Sequence, residues 1–167
     1  EIGTAICKSS TVRALSFTGS TKAGISLAEQ AASTVKKVSL ELGGNASFIV
    51  FNDADIEGAV EGALAAKFRN SGQTCVCANR FFAQAKIHDE FIQKLTAAVK
   101  RLRVGPGNET DVAVGPLIDD RAYEKVKALV ADAIRNGAKI EAEGDLGALG
   151  GHFYPPTVLT SVNSDMR

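Results

Sequence analysis

Apolar and polar positions divide the chain into short apolar runs and longer amphipathic stretches. The short runs are rich in β-branched and aromatic residues, as strands are, while the longer stretches repeat apolar residues at about 3.6-residue spacing, as helices do. The predicted strands are "VRALSF" at 12–17, "KKVSLEL" at 36–42, "ASFIVF" at 46–51, "RFFAQAKI" at 80–87 and "KIEAEG" at 139–144. Because strands alternate with helices throughout, the pattern predicts an α/β fold with parallel strand pairs.

The predicted helices carry recognisable start and stop signals. They are "ISLAEQAAS" at 25–33, "IEGAVEGALAAKFRN" at 56–70, "HDEFIQKLTAAVKRLRV" at 88–104 and "DDRAYEKVKALVADAIRNGA" at 119–138. Asp53 and Asp55 offer N-caps to the second helix, and Gly137 stands near the end of the last. Gly/Pro-rich loops are predicted at 105–118 and 145–156.

Composition and charge narrow the class of protein. The 167 residues include 19 Lys and Arg against 19 Asp and Glu, and this balance argues against a nucleic-acid or membrane-surface partner. No apolar run approaches the roughly 18 residues of a membrane span. Three cysteines, Cys7, Cys75 and Cys77, are a sparse and odd set that fits a reducing cytoplasm. No signal peptide is visible, and we expect an upstream part to be missing because the chain begins at Glu1 without Met.

The stretch "FTGSTKAG" at 17–24 joins a predicted strand to a predicted helix. Backbone N–H groups at a helix N-terminus, beside Gly19 and small hydroxylated side chains, could hold a phosphate. The same stretch equally fits an ordinary turn in which Ser20 or Thr21 is the N-cap, since the glycine spacing is not that of a dinucleotide fingerprint. The residues alone leave both interpretations open.

A carboxylate stands near the end of the second predicted strand, in "LELGG" at 40–44. The C-terminal edge of a parallel sheet is where α/β proteins bind ligands, and two glycines allow a ligand or a backbone to approach closely. Apolar surroundings would raise the pKa of the Glu41 carboxyl group, which suits a general base. The alternative is a charged side chain that reaches solvent at the strand end.

Two cysteines one residue apart follow a glycine in "RNSGQTCVCANR" at 69–80. Gly72 permits a sharp turn that would lift Cys75 into a cleft, where a thiolate acts as a nucleophile. A helix-to-strand connection with two packed cysteines remains the alternative. Zinc needs about four grouped ligands, and the pair lacks a second cluster, so no metal is predicted.

The remaining candidate side chains are predicted to be structural. His88, at the start of a predicted helix, and His152, in a Gly-rich loop, are interpreted as surface residues, although a Cys–His catalytic pair stays open. Cys7 is expected to be a buried, inert thiol.

"FTGST", "LELGG" and "GQTC" in this order, followed by "GPLI" and "PPTVL", resemble the aldehyde dehydrogenase superfamily across essentially the whole chain. "KFRNSGQTCVCANR" is most similar to its succinate-semialdehyde dehydrogenase branch. The resemblance implies the end of a Rossmann-like dinucleotide-binding domain over 1–43, then most of the catalytic domain over 44–167. It also implies an internal segment of a longer protein that is a homodimer or homotetramer.

The resemblance assigns a role to each matching residue. Cys75 would attack the aldehyde and form a thiohemiacetal and then a thioester, with its backbone N–H in the oxyanion hole, and Glu41 would activate the hydrolytic water. Arg69 would bind the distal carboxylate of succinate or glutarate semialdehyde, and Cys77 would be the second thiol of a redox pair. The positions matching the contacts to NAD or NADP are Gly19, Ser20, Gly24 and Leu42.

Two alternatives to hydrolytic aldehyde oxidation stay open, one within this family and one from another class of function. An acylating relative would pass the thioester to coenzyme A, but a water-activating carboxylate such as Glu41 favours hydrolysis. Alternatively, the 167 residues alone would be a non-catalytic folding or interaction module. We expect the isolated chain to be inactive.

Overall fold

The computed structural model describes all 167 residues, which divide into two compact units, Glu1–Asn45 and Ala46–Arg167. The predicted domain boundary after Gly43 falls close to this division. The assignment of the two parts to dinucleotide binding and to catalysis stays a prediction. None of the five helices combines the length and the apolar character that crossing a lipid bilayer requires.

The first unit is a strand–helix–strand arrangement preceded by a short helix. Its elements are α1 at Ile2–Lys8, β1 at Ala14–Gly19, α2 at Thr21–Ala32 and β2 at Lys37–Leu42. The two strands pair in parallel, with Ala14 opposite Lys37 and Gly19 opposite Leu42. The predicted βαβ unit is therefore confirmed. Sequence patterning did not predict α1, whose seven residues are too few to show a clear helical period.

Burial in the first unit lies between α1, α2 and the sheet. Cys7 is fully buried, as expected, and its thiol donates a hydrogen bond to the carbonyl of Leu27 at 3.6 Å. Thr34 Oγ1 donates to the carbonyl of Cys7 at 3.3 Å. These contacts fix the end of α2 next to α1.

The second unit contains two separate strand pairs and three longer helices. Its elements are β3 at Ala46–Val50, α3 at Ile56–Phe68, a 3₁₀ turn at Arg69–Gly72, β4 at Ala78–Ala83, α4 at Ala85–Lys100, α5 at Asp120–Arg135, β5 at Lys139–Glu143 and β6 at Thr157–Thr160. Strands β3 and β4 pair in parallel. Strands β5 and β6 pair antiparallel, because a loop rather than a crossover helix joins them.

In the second unit one predicted strand end was wrong, and only one of the two predicted N-caps of α3 is present. The strand predicted at 80–87 ends at Ala83, and α4 begins at Ala85, so that His88 lies inside the helix instead of beginning it. Alternation of apolar residues suggested a continuing strand, but Ile87 and Phe91 are both buried, four residues apart, on one face of α4. Asp55, and not Asp53, caps α3, by accepting a hydrogen bond from the Glu57 N–H at 3.2 Å.

The core of the second unit holds α3 and α4 together and includes Val50 of β3. The nine buried residues of this core are Val50, Val60, Ala63, Ile87, Phe91, Leu95, Ala98, Val99 and Ala142. Burying a side chain as large as Phe91 stabilises a fold by roughly 1.5–3 kcal/mol. This packing fixes the C-terminal end of α3, from which the two-cysteine segment starts.

Candidate active site

The segment from α3 to β4, residues 69–77, is called the cysteine loop here. After Arg69, three successive residues of the loop are in the left-handed region: Asn70 at φ 51°, Ser71 at φ 56° and Gly72 at φ 75°. The sharp turn expected at Gly72 is present, and a Cβ there would lie 3.1 Å from the Lys67 carbonyl oxygen. Left-handed geometry costs L residues roughly 1–2 kcal/mol each, so the conformations of Asn70 and Ser71 need support from their surroundings.

Hydrogen bonds within the loop and to residues 115–118 supply this support. Within the loop, the Gln73 N–H donates to the Asn70 carbonyl at 3.1 Å, and Asn70 Nδ2 donates to the Gln73 carbonyl at 3.3 Å. Ser71 Oγ accepts from the Gly115 N–H at 2.8 Å. The Gln73 side chain also bonds to this segment. Neither Ser71 nor Gln73 was singled out from the sequence.

The two cysteines of the loop differ in environment. Cys75 is exposed, while Cys77 is 2% exposed, and both are free thiols. The Cys77 sulfur shares a hydrogen bond with Thr74 Oγ1 at 2.8 Å and donates to the Lys67 carbonyl at 3.6 Å. Cys75 is therefore accessible to a substrate, whereas Cys77 is packed beneath the loop. Its pairing with Cys75 in a redox reaction stays a prediction.

A lysine that the sequence did not single out lies beside the buried cysteine. Lys67 Nζ donates to Asn79 Oδ1 at 2.6 Å. Burial lowers the pKa of the Lys67 ammonium group below its ordinary value, and the neighbouring Cys77 thiol opposes this shift. The ammonium group would also lie 3.4 Å from a Cβ built on Gly72, so Lys67 packs against the turn at this glycine.

Arg69 is the C-cap residue of α3 and the first residue of the cysteine loop. Its side chain is exposed and forms no ion pair. The guanidinium is thus free to accept an anionic ligand, since no acidic side chain neutralises it.

Glu41 lies in β2, where Thr18 of β1 is its register partner. Burial alternates along β2, so that Leu40 and Leu42 are partly buried while Glu41 is exposed. The expectation of apolar surroundings for this carboxylate was therefore wrong within the first unit. The reason is the pleat: a residue between two inward-facing leucines points to the opposite face.

The turn between β1 and α2 has the features that favour an anion. Ser20 is the N-cap of α2, and its Oγ accepts from the Ala23 N–H at 3.3 Å. Gly19 is exposed, although a Cβ there would meet the Phe17 ring at 2.5 Å. The Ser20 cap occupies the Ala23 N–H, while the N–H groups of Thr21 and Lys22 at the start of this twelve-residue helix make no hydrogen bond, which fits a phosphate.

Gly24 and Leu42, two of the positions predicted to contact a cofactor, touch one another. Gly24 is buried, and a Cβ built there would lie 2.6 Å from Leu42 Cδ2. In the first unit, Gly24 therefore permits α2 to pack closely on β2. Contact of either residue with a cofactor stays a prediction.

The two histidines are bonded to neighbouring aspartates. His88 is exposed, with Nδ1 2.8 Å from Asp89 Oδ1, and His152 Nε2 lies 2.9 Å from Asp120 Oδ1. No group of three or more His, Cys, Asp or Glu side chains is arranged to hold a metal ion.

A model of the aldehyde dehydrogenase family matches residues 1–167. The chain therefore belongs to the aldehyde dehydrogenase family. This membership agrees with the mixed α/β architecture that the sequence predicted.

Individual proteins and solved structures within this family are also similar to the chain. The chain is 51% identical over 166 residues to a succinate-semialdehyde dehydrogenase (NADP⁺) of Escherichia coli K12, covering 99% of this chain and 34% of the relative. It is 53% identical over 162 residues to a glutarate-semialdehyde dehydrogenase of Pseudomonas aeruginosa PAO1, covering 97% and 34%. A crystal structure of succinate-semialdehyde dehydrogenase from Burkholderia pseudomallei matches with a TM-score of 0.95 and 55% identity, covering 99% and 34%. The chain thus spans about a third of the length of these relatives.

Proposed function

We propose that this chain is part of an NAD(P)-dependent aldehyde dehydrogenase that oxidises an aldehyde carrying a distal carboxylate. The observation that carries the proposal is the accessible Cys75 thiol, which lies in a strained and hydrogen-bonded loop of a chain of this family. Strained backbone of this kind clusters at active sites. The names of the similar proteins support succinate semialdehyde as substrate, with glutarate semialdehyde as a near alternative.

Cys75 is the nucleophile of the proposed reaction. Its thiolate attacks the aldehyde carbon to form a thiohemiacetal, and the backbone N–H of Cys75 helps to stabilise the oxyanion. Loss of a hydride from that carbon leaves a thioester on the sulfur. NAD or NADP, when bound, accepts the hydride.

Glu41 completes the proposed turnover by removing a proton from the water that attacks the thioester. The products are a carboxylate and the regenerated Cys75 thiol. Over the whole reaction the aldehyde carbon undergoes one two-electron oxidation. A carboxylate in contact with water is a competent base for this step. Transfer to coenzyme A is the competing outcome, and product analysis with and without coenzyme A distinguishes the two.

The start of α2 is proposed to hold the cofactor pyrophosphate through backbone N–H groups next to Gly19 and Ser20. The helix dipole adds favourable electrostatics for a phosphate at this end. Gly24 allows the close helix–strand packing on which this end depends, and Leu42 is proposed to lie near the nicotinamide. We further propose a cytoplasmic protein that assembles as a homodimer or homotetramer.

Arg69 is proposed to select the substrate. A planar guanidinium binds a carboxylate through two parallel hydrogen bonds. The exposed Arg69 side chain forms no ion pair with an acidic side chain, so a substrate carboxylate would not have to displace one. An aldehyde with a carboxylate at its far end would then be held at both ends, by Cys75 and by Arg69.

Arg69→Ala in the full-length protein is expected to raise KM for succinate semialdehyde about 30-fold or more. Loss of one partner of a hydrogen-bonded charge pair typically costs ~2–5 kcal/mol of binding. KM for butyraldehyde, which lacks the carboxylate, should hardly change. Steady-state kinetics on both substrates measure the two values.

Arg101→Ala is the matched control, because Arg101 is also an exposed arginine at the C-cap of a helix, α4. It should leave KM for both substrates unchanged. If Arg69→Ala weakens both substrates alike, Arg69 only supports the helix end, and the proposed substrate class is wrong.

A further inference from the structure

The left-handed start of the cysteine loop is attached to a second segment of the same unit, residues 115–118. Asn70, Ser71 and Gly72 all adopt the left-handed conformation. This conformation costs free energy for Asn70 and Ser71, which are not glycines, so it needs stabilising contacts. Residues 115–118 provide three hydrogen-bonding groups to the loop, all of them from the backbone.

The Gln73 side chain makes two of these three bonds. Its Nε2 donates to the Pro116 carbonyl at 3.2 Å, and its Oε1 accepts from the Ile118 N–H at 2.9 Å. A single planar amide thus bridges two backbone groups. This fixes both the position and the orientation of Gln73, which lies two residues before Cys75.

The segment that Gln73 bonds to is itself anchored. Leu117 donates its N–H to the His152 carbonyl at 2.9 Å, and Val114, just before the segment, is buried and forms a bridge with Val104. Residues 115–118 are therefore fixed relative to the rest of the second unit. Hydrogen bonds from the cysteine loop to these residues fix the loop as well.

We propose that Gln73 is a positioning residue for Cys75, acting through its two-point hydrogen bonding to residues 115–118. The inference rests on the proposed function, in which Cys75 attacks an aldehyde. Nucleophilic attack requires the reacting atoms to be aligned near 3–3.5 Å, and a displacement of about 1 Å can lower the rate ~10²-fold. Gln73 is proposed to touch neither substrate nor cofactor and to act only through the loop backbone.

The test compares Gln73→Met with Gln84→Met in the full-length protein. Methionine has nearly the length of glutamine but cannot make either hydrogen bond. Gln84 is the matched control, because its Oε1 also accepts from a backbone N–H, that of Asn52 at 2.7 Å, in the same unit. Two quantities are measured: kcat and KM for succinate semialdehyde, and amide hydrogen exchange of peptides covering residues 69–77.

Gln73→Met is expected to lower kcat about 10- to 100-fold while KM stays within about 3-fold, since positioning affects attack more than binding. Hydrogen exchange in the cysteine loop should become faster in Gln73→Met only. Gln84→Met should retain the wild-type kcat and the wild-type exchange of this loop.

Three results would overturn the inference: an unchanged kcat in Gln73→Met, an equal loss in both variants, or a rise in KM at constant kcat. If the wild-type protein oxidises no aldehyde, the proposed function is wrong whatever Gln73 does. Hydrogen exchange of the cysteine loop then tests separately whether Gln73 holds the loop. Faster exchange in Gln73→Met alone would uphold the attachment of the loop, and unchanged exchange would refute it.

Discussion

Cys75→Ala in the full-length protein is expected to lower kcat for aldehyde oxidation by about 10⁴-fold or more. Alanine cannot form the thiohemiacetal or the thioester, and removal of a nucleophile from a covalent mechanism has effects of this order. Cys75 is exposed in the cysteine loop, so its replacement should leave the fold intact. Steady-state rates, with circular dichroism to confirm folding, measure the outcome.

Cys77→Ala separates the two thiols of the loop. Cys77 is buried and hydrogen-bonded to Thr74, so its loss should cost about 1 kcal/mol of stability through packing. Most of the activity should nevertheless remain at 25 °C. Equal residual activity in Cys75→Ala and Cys77→Ala would show that Cys75 is not the nucleophile.

Glu41→Gln is expected to slow steady-state turnover by about 10²–10⁴-fold, the range for loss of a general base. Hydride transfer precedes the step that Glu41 assists, and it should remain fast. A rapid burst of NADH or NADPH, close to one equivalent per active site, should therefore precede a slow steady phase. Stopped-flow absorbance of the reduced cofactor measures both phases.

Glu29→Gln is the control for the loss of one negative charge in the same unit, because Glu29 is an exposed residue of α2. It should show neither the burst nor the slow phase that Glu41→Gln shows. A Glu41→Gln protein with wild-type turnover would refute the proposed role of this carboxylate.

Much of the fold followed from local patterning in the sequence. The parallel pair β1–β2 with α2 between them was predicted, because apolar runs and helical spacing alternate clearly there. The start of α4 was missed, because Ala83, Ala85 and Ile87 continue an alternating pattern past the true strand end. The antiparallel pairing of β5 with β6 depends on the length and path of the loop between them, which periodicity does not describe.

The candidate site was predictable only in part. Cys75, Glu41 and Arg69 have side chains whose chemistry marks them as candidates within their motifs, whereas Ser71 and Gln73, in the same stretch as Cys75, have neutral polar side chains that indicate no particular role. Their partners lie more than 40 positions away in sequence, at Gly115, Pro116 and Ile118, and no local pattern reveals such contacts. The exposure of Glu41 was misjudged because the two flanking leucines suggested an apolar setting, although they face the other side of the strand.

Cys75 is proposed to carry the acyl group during aldehyde oxidation. The most direct measurement is peptide mass spectrometry of full-length Glu41→Gln protein, quenched in acid shortly after mixing with succinate semialdehyde and NAD⁺ or NADP⁺. We expect one succinyl group, removable by hydroxylamine, on the peptide at Cys75 and on no other cysteine. An acyl group on Cys77 or Cys7, or a reduced cofactor formed without any acylated cysteine, would contradict it.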